Sequence, residues 1–213
     1  MVVVDNFLDN EDLKLVQDGV LSQPWTYCPY VVQERDGHYM FCCGFDPETS
    51  DSILPVLEKI GKVNLLRIKA NLVPKGSSII EHGFHIDYKE NIPPNALTSI
   101  FYVNTNNGYT KFEDGTKIES VANRLVSLPL STRHRIVTQT DEQTRYVVNF
   151  NYIDWWTYLD FINEKKTAKK KTAKKKNTRR KNTRRRKNTR RRVRLSHSNR
   201  FFTLIFSHRF TKF

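Results

Sequence analysis

Apolar residues between positions 5 and 22 recur at helical spacing, with Leu13, Val16, Val20 and Leu21 on one stripe. The pattern predicts a helix capped by Asn10 and stopped by Pro24-Trp25. A second run, Ile53, Leu54, Leu57 and Ile60, follows the possible caps Ser50 and Asp51 and ends at Gly61. Between the two, residues 25–45 are aromatic and β-branched, punctuated by Gly37 and Gly44, which predicts a hairpin. From residue 65 the period changes to two. Leu66–Leu72 alternates and Pro74-Lys75-Gly76 turns it. The segment around His85 and Asp87 comes next, then a loop at Ile92–Asn95 and strands at Ser99–Val103, Arg124–Leu128, His134–Thr138 and Arg145–Tyr152. Asn106-Asn107-Gly108 and Asp114-Gly115 are hairpin-turn signals. Helices first, then about seven short strands, predict a mainly β, α+β chain with N-terminal helices. Its core would be an antiparallel double-stranded β-helix, or jelly roll, with a ligand or metal at the barrel mouth.

Charge divides the 213 residues. Residues 1–164 carry 14 Lys+Arg against all 22 Asp+Glu, a net −8, and the remaining 22 Lys+Arg stand in an acid-free tail. The expected organisation is a jelly-roll domain over 1–160, a Lys/Arg-rich repeat over 161–192 and a short apolar and basic extension over 193–213. The repeat offers no apolar residue but Ala, so it can bury nothing against its ordering entropy and is expected to be disordered. Its chemistry suits non-specific binding of nucleic acid or another acidic polymer by residues 165–194 through phosphate neutralisation. The repeat units also shift from Lys-Thr-Ala to Asn-Thr-Arg, as a short nucleotide repeat read in changing frames would, so accretion without a selected role is the competing account.

Cys28, Cys42 and Cys43 are odd in number and two are adjacent, a poor disulfide framework. The opening residues lack a basic signal region and no apolar run approaches membrane-spanning length. The expectation is a soluble protein of a reducing, cytoplasmic setting, with no membrane partner.

The chemistry concentrates in His85-Ile86-Asp87, with His134 standing 47 residues after Asp87 and Arg145 beyond it. Two histidines and one carboxylate hold non-haem Fe(II) on one face and leave the opposite positions open. On a strand, residues two apart share a side, so His85 and Asp87 can grip one ion together. His134 heads an alternating run, where a neighbouring strand would bring in the third ligand. No catalytic residue is expected beyond this metal centre.

These residues, with Arg67–Leu72, His82–Asp87, Thr98–Asn104, Asn107–Phe112 and Arg145–Tyr152, resemble the 2-oxoglutarate- and Fe(II)-dependent oxygenases. The likeness is to the prolyl 4-hydroxylase-like branch with its small phage-type members, covers roughly residues 1–155, and leaves out the tail. It implies Fe(II) on His85, Asp87 and His134, and 2-oxoglutarate held by Arg145 and lined by Tyr102. It implies O₂ as co-reactant, ascorbate as a supporting reductant, and hydroxylation of an unactivated C–H bond with release of succinate and CO₂. It also brings a virus-infected host cell into view as the setting. A guanidinium suits a carboxylate through two parallel hydrogen bonds. One departure is the hairpin that usually reads Gly-Gly-Glu/Ile-Thr in the family and is Asn107-Gly108-Tyr109-Thr110 here.

Several residues compete for these roles. His82 is a rival ligand, though expected on the opposite side from Asp87, and His38 is expected to be exposed in a turn. His197 and His208 have no partner carboxylate in the tail. Arg124 is the rival to Arg145, Arg133 and Arg135 flank His134 and should point away from it, and Trp155 and Trp156 read as packing. The substrate stays open among a prolyl or other protein side chain, a small molecule such as a free amino acid, and a nucleobase. Two other functions remain: a non-catalytic jelly-roll binding module tethered by its tail, and a nucleobase-modifying dioxygenase. The −8 body disfavours a phosphate groove.

Overall fold

The computed structural model describes residues 1–32, 38–88 and 95–154, with scattered positions between 159 and 181. The chain divides into two units, Met1–Phe161 and Ile162–Phe213, and both sheets lie in the first. Gly37, most of the 92–95 loop, Trp155, Trp156, most of the basic repeat whose disorder was expected, His197, His208 and the 193–213 extension lie outside the described residues.

The helices form where the periodicity puts them, with one correction. Helix α1 is Asn10–Leu21, and its cap is Asp9, whose carboxylate accepts from the Asp12 N–H at 2.9 Å. Asn10 is already inside the first turn. Val16 and Val20 are fully buried, and each such side chain contributes about 1.5–3 kcal/mol on leaving water. A 3₁₀ turn at Asp51–Ile53 leads into α2, Leu54–Ile60, which ends at Gly61 with φ 99°.

Ten strands among the described residues make two antiparallel sheets, where about seven were expected. The larger contains β1 (Val2–Val4), β2 (Thr26–Cys28), β3 (Met40–Gly44), β4 (Val63–Pro74), β5 (Leu97–Tyr102), β8 (Arg124–Pro129) and β10 (Thr144–Asp154), in the order β1-β8-β5-β10-β4-β3-β2. The smaller is β7 (Lys117–Glu119), β6 (Tyr109–Phe112) and β9 (His134–Val137), in the order β7-β6-β9. This mainly β architecture of antiparallel sheets with two short helices is consistent with a jelly-roll core. Strand β1 has no polar alternation, because all three of its valines are exposed at the sheet edge. A hydrophobic pattern therefore cannot mark it.

The two faces of the large sheet serve different ends. The outer one packs Ile68, Ala70, Phe101, Val148 and Phe150 beneath Val16, Val20, Ile53 and Val56 of the helical layer. The inner one, with the small sheet, encloses Ile100, Tyr102, Phe112, Val126, Leu128 and Val147. Asn123 sits at φ 64°, a conformation Asn tolerates, and ties the N-terminal segment to this sheet. Its side chain accepts from the Leu8 N–H and donates to the Leu8 carbonyl, both at 2.8 Å.

Of the two turn signals, Asp114-Gly115 joins paired β6 and β7, with Gly115 at φ 89°. Asn106-Asn107-Gly108 does not make a hairpin, since β5 and β6 belong to different sheets. The Asn107 N–H donates to both Asp141 carboxylate oxygens at 3.0 Å, fixing a crossover instead. Gly108 is there for space: a Cβ would lie 2.8 Å from Asn106 Oδ1, 2.9 Å from the Val137 carbonyl and 3.0 Å from Arg145 Cδ.

Candidate metal centre

The His85-Ile86-Asp87 segment is not a regular strand, contrary to the expectation. It runs antiparallel to β9 through isolated bridges, Glu81 to Val137 and His85 to His134. The pairing slips by one residue between them, around Gly83 and Phe84, and such a bulge re-aims the side chains that follow. Backbone hydrogen bonds still clamp the segment, His85 N–H to His134 O at 2.8 Å and His134 N–H to His85 O at 3.0 Å. His85 and His134 thus face each other, with ring centroids 4.8 Å apart.

One ligand atom from each of His85, Asp87 and His134 falls within a 4.8 Å cluster. His85 Nε2 is 3.9 Å and His134 Nε2 is 3.6 Å from Asp87 Oδ1. The other imidazole nitrogens approach carbonyls, His85 Nδ1 to Gly83 O at 3.3 Å and His134 Nδ1 to Thr132 O at 3.1 Å. Those contacts favour the Nδ1–H tautomer, in which both Nε2 lone pairs face the cluster, as backbone carbonyls do for metal-binding histidines.

The inner face of β10 and its neighbours holds the carboxylate. Asp87 Oδ1 accepts from Asn149 Nδ2 at 2.9 Å and Oδ2 from Thr98 Oγ1 at 3.2 Å. Thr98 in turn accepts from Asn151 Nδ2 at 2.8 Å, and Arg67 donates to the Asp87 backbone carbonyl at 2.5 Å. Burial pushes the Asp87 carboxyl up, but His134, His85 and Arg67 outweigh it and hold the group down at about 2. Burial and the neighbouring His134 lower His85 to about 4. Burial also acts to lower His134, yet its Asp87 contact raises it overall. At neutral pH the cluster presents an anionic carboxylate and a neutral His85, as a divalent cation requires.

Arg145 enters the same barrel from β10 and is 1% exposed. Its Nε donates to Ser120 Oγ at 2.7 Å and one Nη to Thr110 Oγ1 at 3.2 Å. Its Nη1 is buried without a hydrogen-bond partner. Burial pulls this guanidinium below its ordinary range, and no carboxylate among the described residues pairs with it. A buried cation with an unused N–H is costly unless an anionic ligand completes it. Tyr102 lies 5.7 Å beneath Arg145 and donates its hydroxyl to Thr110 Oγ1 at 2.8 Å, with burial raising the phenol.

The rivals fall elsewhere. Arg124 forms a two-pronged ion pair with Asp5, at 2.5 and 3.0 Å. Arg133 pairs with Glu113, and Arg135 with Glu81 over the Phe84 ring. His82 is buried outside the metal cluster, its ring 4.9 Å from that of His38, so His38 is half-buried against it rather than exposed. Cys28 and Cys42 Sγ atoms are 2.8 Å apart, a juxtaposition invisible in their spacing. Thr98, Asn149, Asn151 and Arg67 were not expected at the site. For Asn149 and Asn151 a signal was present in β10, where they and Arg145 interrupt an otherwise apolar, buried strand on one face.

Neither a protein-family model nor a curated protein matches the sequence. Solved structures do match the fold. A Pseudomonas putida prolyl-4-hydroxylase superposes with TM-score 0.54 at 14% identity, over 72% of this chain and 91% of that one. A 2OG-Fe(II) oxygenase family protein from Burkholderia pseudomallei gives 0.54 at 16%, over 71% and 84%. A Trichoplax adhaerens prolyl hydroxylase, in complex with a hypoxia-inducible-factor peptide, gives 0.52 at 16%, over 73% and 84%. The chain has the fold found in 2-oxoglutarate- and Fe(II)-dependent oxygenases, and it carries a His-Asp-His cluster able to hold a metal.

Proposed function

We propose that this chain is an Fe(II)- and 2-oxoglutarate-dependent oxygenase that hydroxylates a C–H bond of its substrate. The observation that carries the reading is the convergence, inside one barrel, of the His85–Asp87–His134 cluster and a buried Arg145 with an unused N–H. An idle binding module has no need of either.

His85 Nε2, Asp87 and His134 Nε2 would hold Fe(II) on one side. Asn149 and Thr98 keep the carboxylate turned towards the cluster. Arg145, with Thr110 and Tyr102 beside it, would receive the distal carboxylate of 2-oxoglutarate, its unpaired Nη1 gaining a charge-assisted bond. Ile100, Val126 and Val147 would exclude water along the carbon chain. When bound, iron and 2-oxoglutarate supply the activation of O₂, and the protein positions them.

The test is Fe(II)-dependent succinate release from 2-oxoglutarate, with ascorbate present to keep the metal reduced. Its absence from the full-length chain, metal-loaded and folded, would refute the reading. For the acid-free tail, electrostatic attachment to nucleic acid or another acidic polymer is the companion proposal, on its charge alone.

A further inference from the structure

On the inner face beside the metal cluster, away from Arg145, stands a second polar set that holds none of the metal ligands. Its centre is Lys69 of β4. Strand pairing puts Lys69 directly opposite Asn149 on one side and opposite Gly44 of β3 on the other. Side chains opposite one another on a sheet face lie about 4.5–5.5 Å apart at Cβ. Asn149 bonds Asp87, so Lys69 shares its face with the metal cluster. Gly44 places no side chain opposite Lys69 on that strand. Lys69 is half-buried, and neither hydrogen bonds nor ion pairs are found for it among the described residues.

Asn71, two residues on along β4, points the same way and is 4% exposed with its Oδ1 unpartnered. Asn149 is 5% exposed, and its Oδ1 is likewise unpartnered while Nδ2 serves Asp87. Among the described residues this flank therefore offers one cation without an ion pair and two buried acceptors. Buried acceptors without donors are rare and point to a ligand that supplies them. 2-Oxoglutarate brings no N–H, so it cannot satisfy these two amide oxygens.

We propose that this flank binds the α-amino-acid head of the substrate, with a free carboxylate on Lys69 and the amino N–H groups on Asn71 Oδ1 and Asn149 Oδ1. The substrate class is then a free amino acid or a closely similar small amino acid, rather than an internal residue of a peptide. An internal residue has neither the carboxylate charge that Lys69 lacks nor the ammonium that the two oxygens accept. This assignment rests on the oxygenase reading above. It adds a substrate class and a specificity residue to it.

The experiment uses the full chain in two measurements. Saturation-transfer NMR of the Zn(II)-loaded protein with 2-oxoglutarate compares a mixture of free L-amino acids with the matching mixture of their α-amides. Succinate release under Fe(II) compares the same compounds as stimulants. At least one free acid is expected to bind and stimulate, with its amide weaker by tenfold or more. Lys69→Met should abolish that preference, and Lys69→Arg should restore part of it. In both variants the KM for 2-oxoglutarate should change far less than the acid-over-amide preference does. Amides or blocked peptides that bind as well as the acids would overturn the assignment. So would a complete lack of amino-acid binding, or Lys69→Met with an unchanged preference. Failure of the oxygenase reading looks different, because no succinate forms under any condition whatever the NMR measurement reports.

Discussion

Replacing Arg145 with Met separates two quantities that a general loss of structure would move together. Met matches much of the arginine's length without its charge. In the ligand-free protein the exchange removes a guanidinium that is 1% exposed and whose Nη1 has no partner, at the expense of two hydrogen bonds, to Ser120 and Thr110. Swapping a buried charge for an apolar side chain of similar volume is often neutral or stabilising, so thermal stability should fall by no more than about 1 kcal/mol, or rise. Binding of 2-oxoglutarate should respond very differently. Truncating one partner of a buried charge pair costs about 2–5 kcal/mol, which is roughly 30-fold to several-thousand-fold in affinity. Fe(II) makes no contact with position 145 in this reading, so its affinity should stay within about threefold, an allowance of under 1 kcal/mol. Anaerobic calorimetry of 2-oxoglutarate into the Fe(II)-loaded variant, set beside its melting curve and a metal titration, reads all three. Unchanged 2-oxoglutarate affinity would refute the role of Arg145. Parallel losses of metal and 2-oxoglutarate would show that the variant damages the barrel instead.

Other perturbations read other parts of the chain. Ala at His85, Asp87 or His134 should abolish stoichiometric iron binding while the melting transition persists, since the apolar faces and not these side chains hold the sheets; elemental analysis of desalted protein checks it, and near-normal iron in His134→Ala would sink the ligand set. Gly108→Ala should cost about 1–3 kcal/mol, because the new methyl meets the Val137 backbone carbonyl, the buried Asn106 amide and Arg145 Cδ, and a melting temperature within a degree of wild type would contradict that packing. Asn123→Ala should cost about 2 kcal/mol by stranding the Leu8 N–H and carbonyl, read in urea as a lower midpoint at unchanged slope. Removing residues 165–213 should leave uncoupled turnover intact while abolishing most DNA and RNA binding. Binding by the full chain should fall with salt at about −0.9 per neutralised phosphate, and tight binding by the truncated body would reverse the assignment.

Much of the site was legible because its chemistry is written in residue types at fixed spacing. His85 and Asp87 two apart, with one distal His, need no fold to be suspected, and the last strand of the series, Arg145–Tyr152, falls within β10, which carries Arg145. What stayed hidden depends on which strands become neighbours. The ligand segment is bridged rather than laddered, because the one-residue slip near Gly83 leaves no strand-length pattern to detect. Asn106-Asn107-Gly108 looked like a hairpin because local turn chemistry cannot report that its flanking strands pair with different partners. Asn149 and Thr98 stand 62 and 11 residues from the carboxylate they bond, and the polar breaks in β10 mark Asn149 as inward-facing without naming what it meets.

Strand β10 lies between β5 and β4, with Arg145, Asn149 and Asn151 facing the barrel and Val148 and Phe150 facing the helices. A shift of its pairing by a single residue would exchange those two sets, sending amides into the hydrocarbon layer and a phenyl ring towards the metal ligands. No folded molecule can therefore be half right. A batch with half the expected turnover is a mixture of competent and incompetent copies, not a uniform population of weakened ones. Drift at these positions is filtered twice, once by folding and once by chemistry, whereas the exposed valines of β1 meet neither filter with the same force.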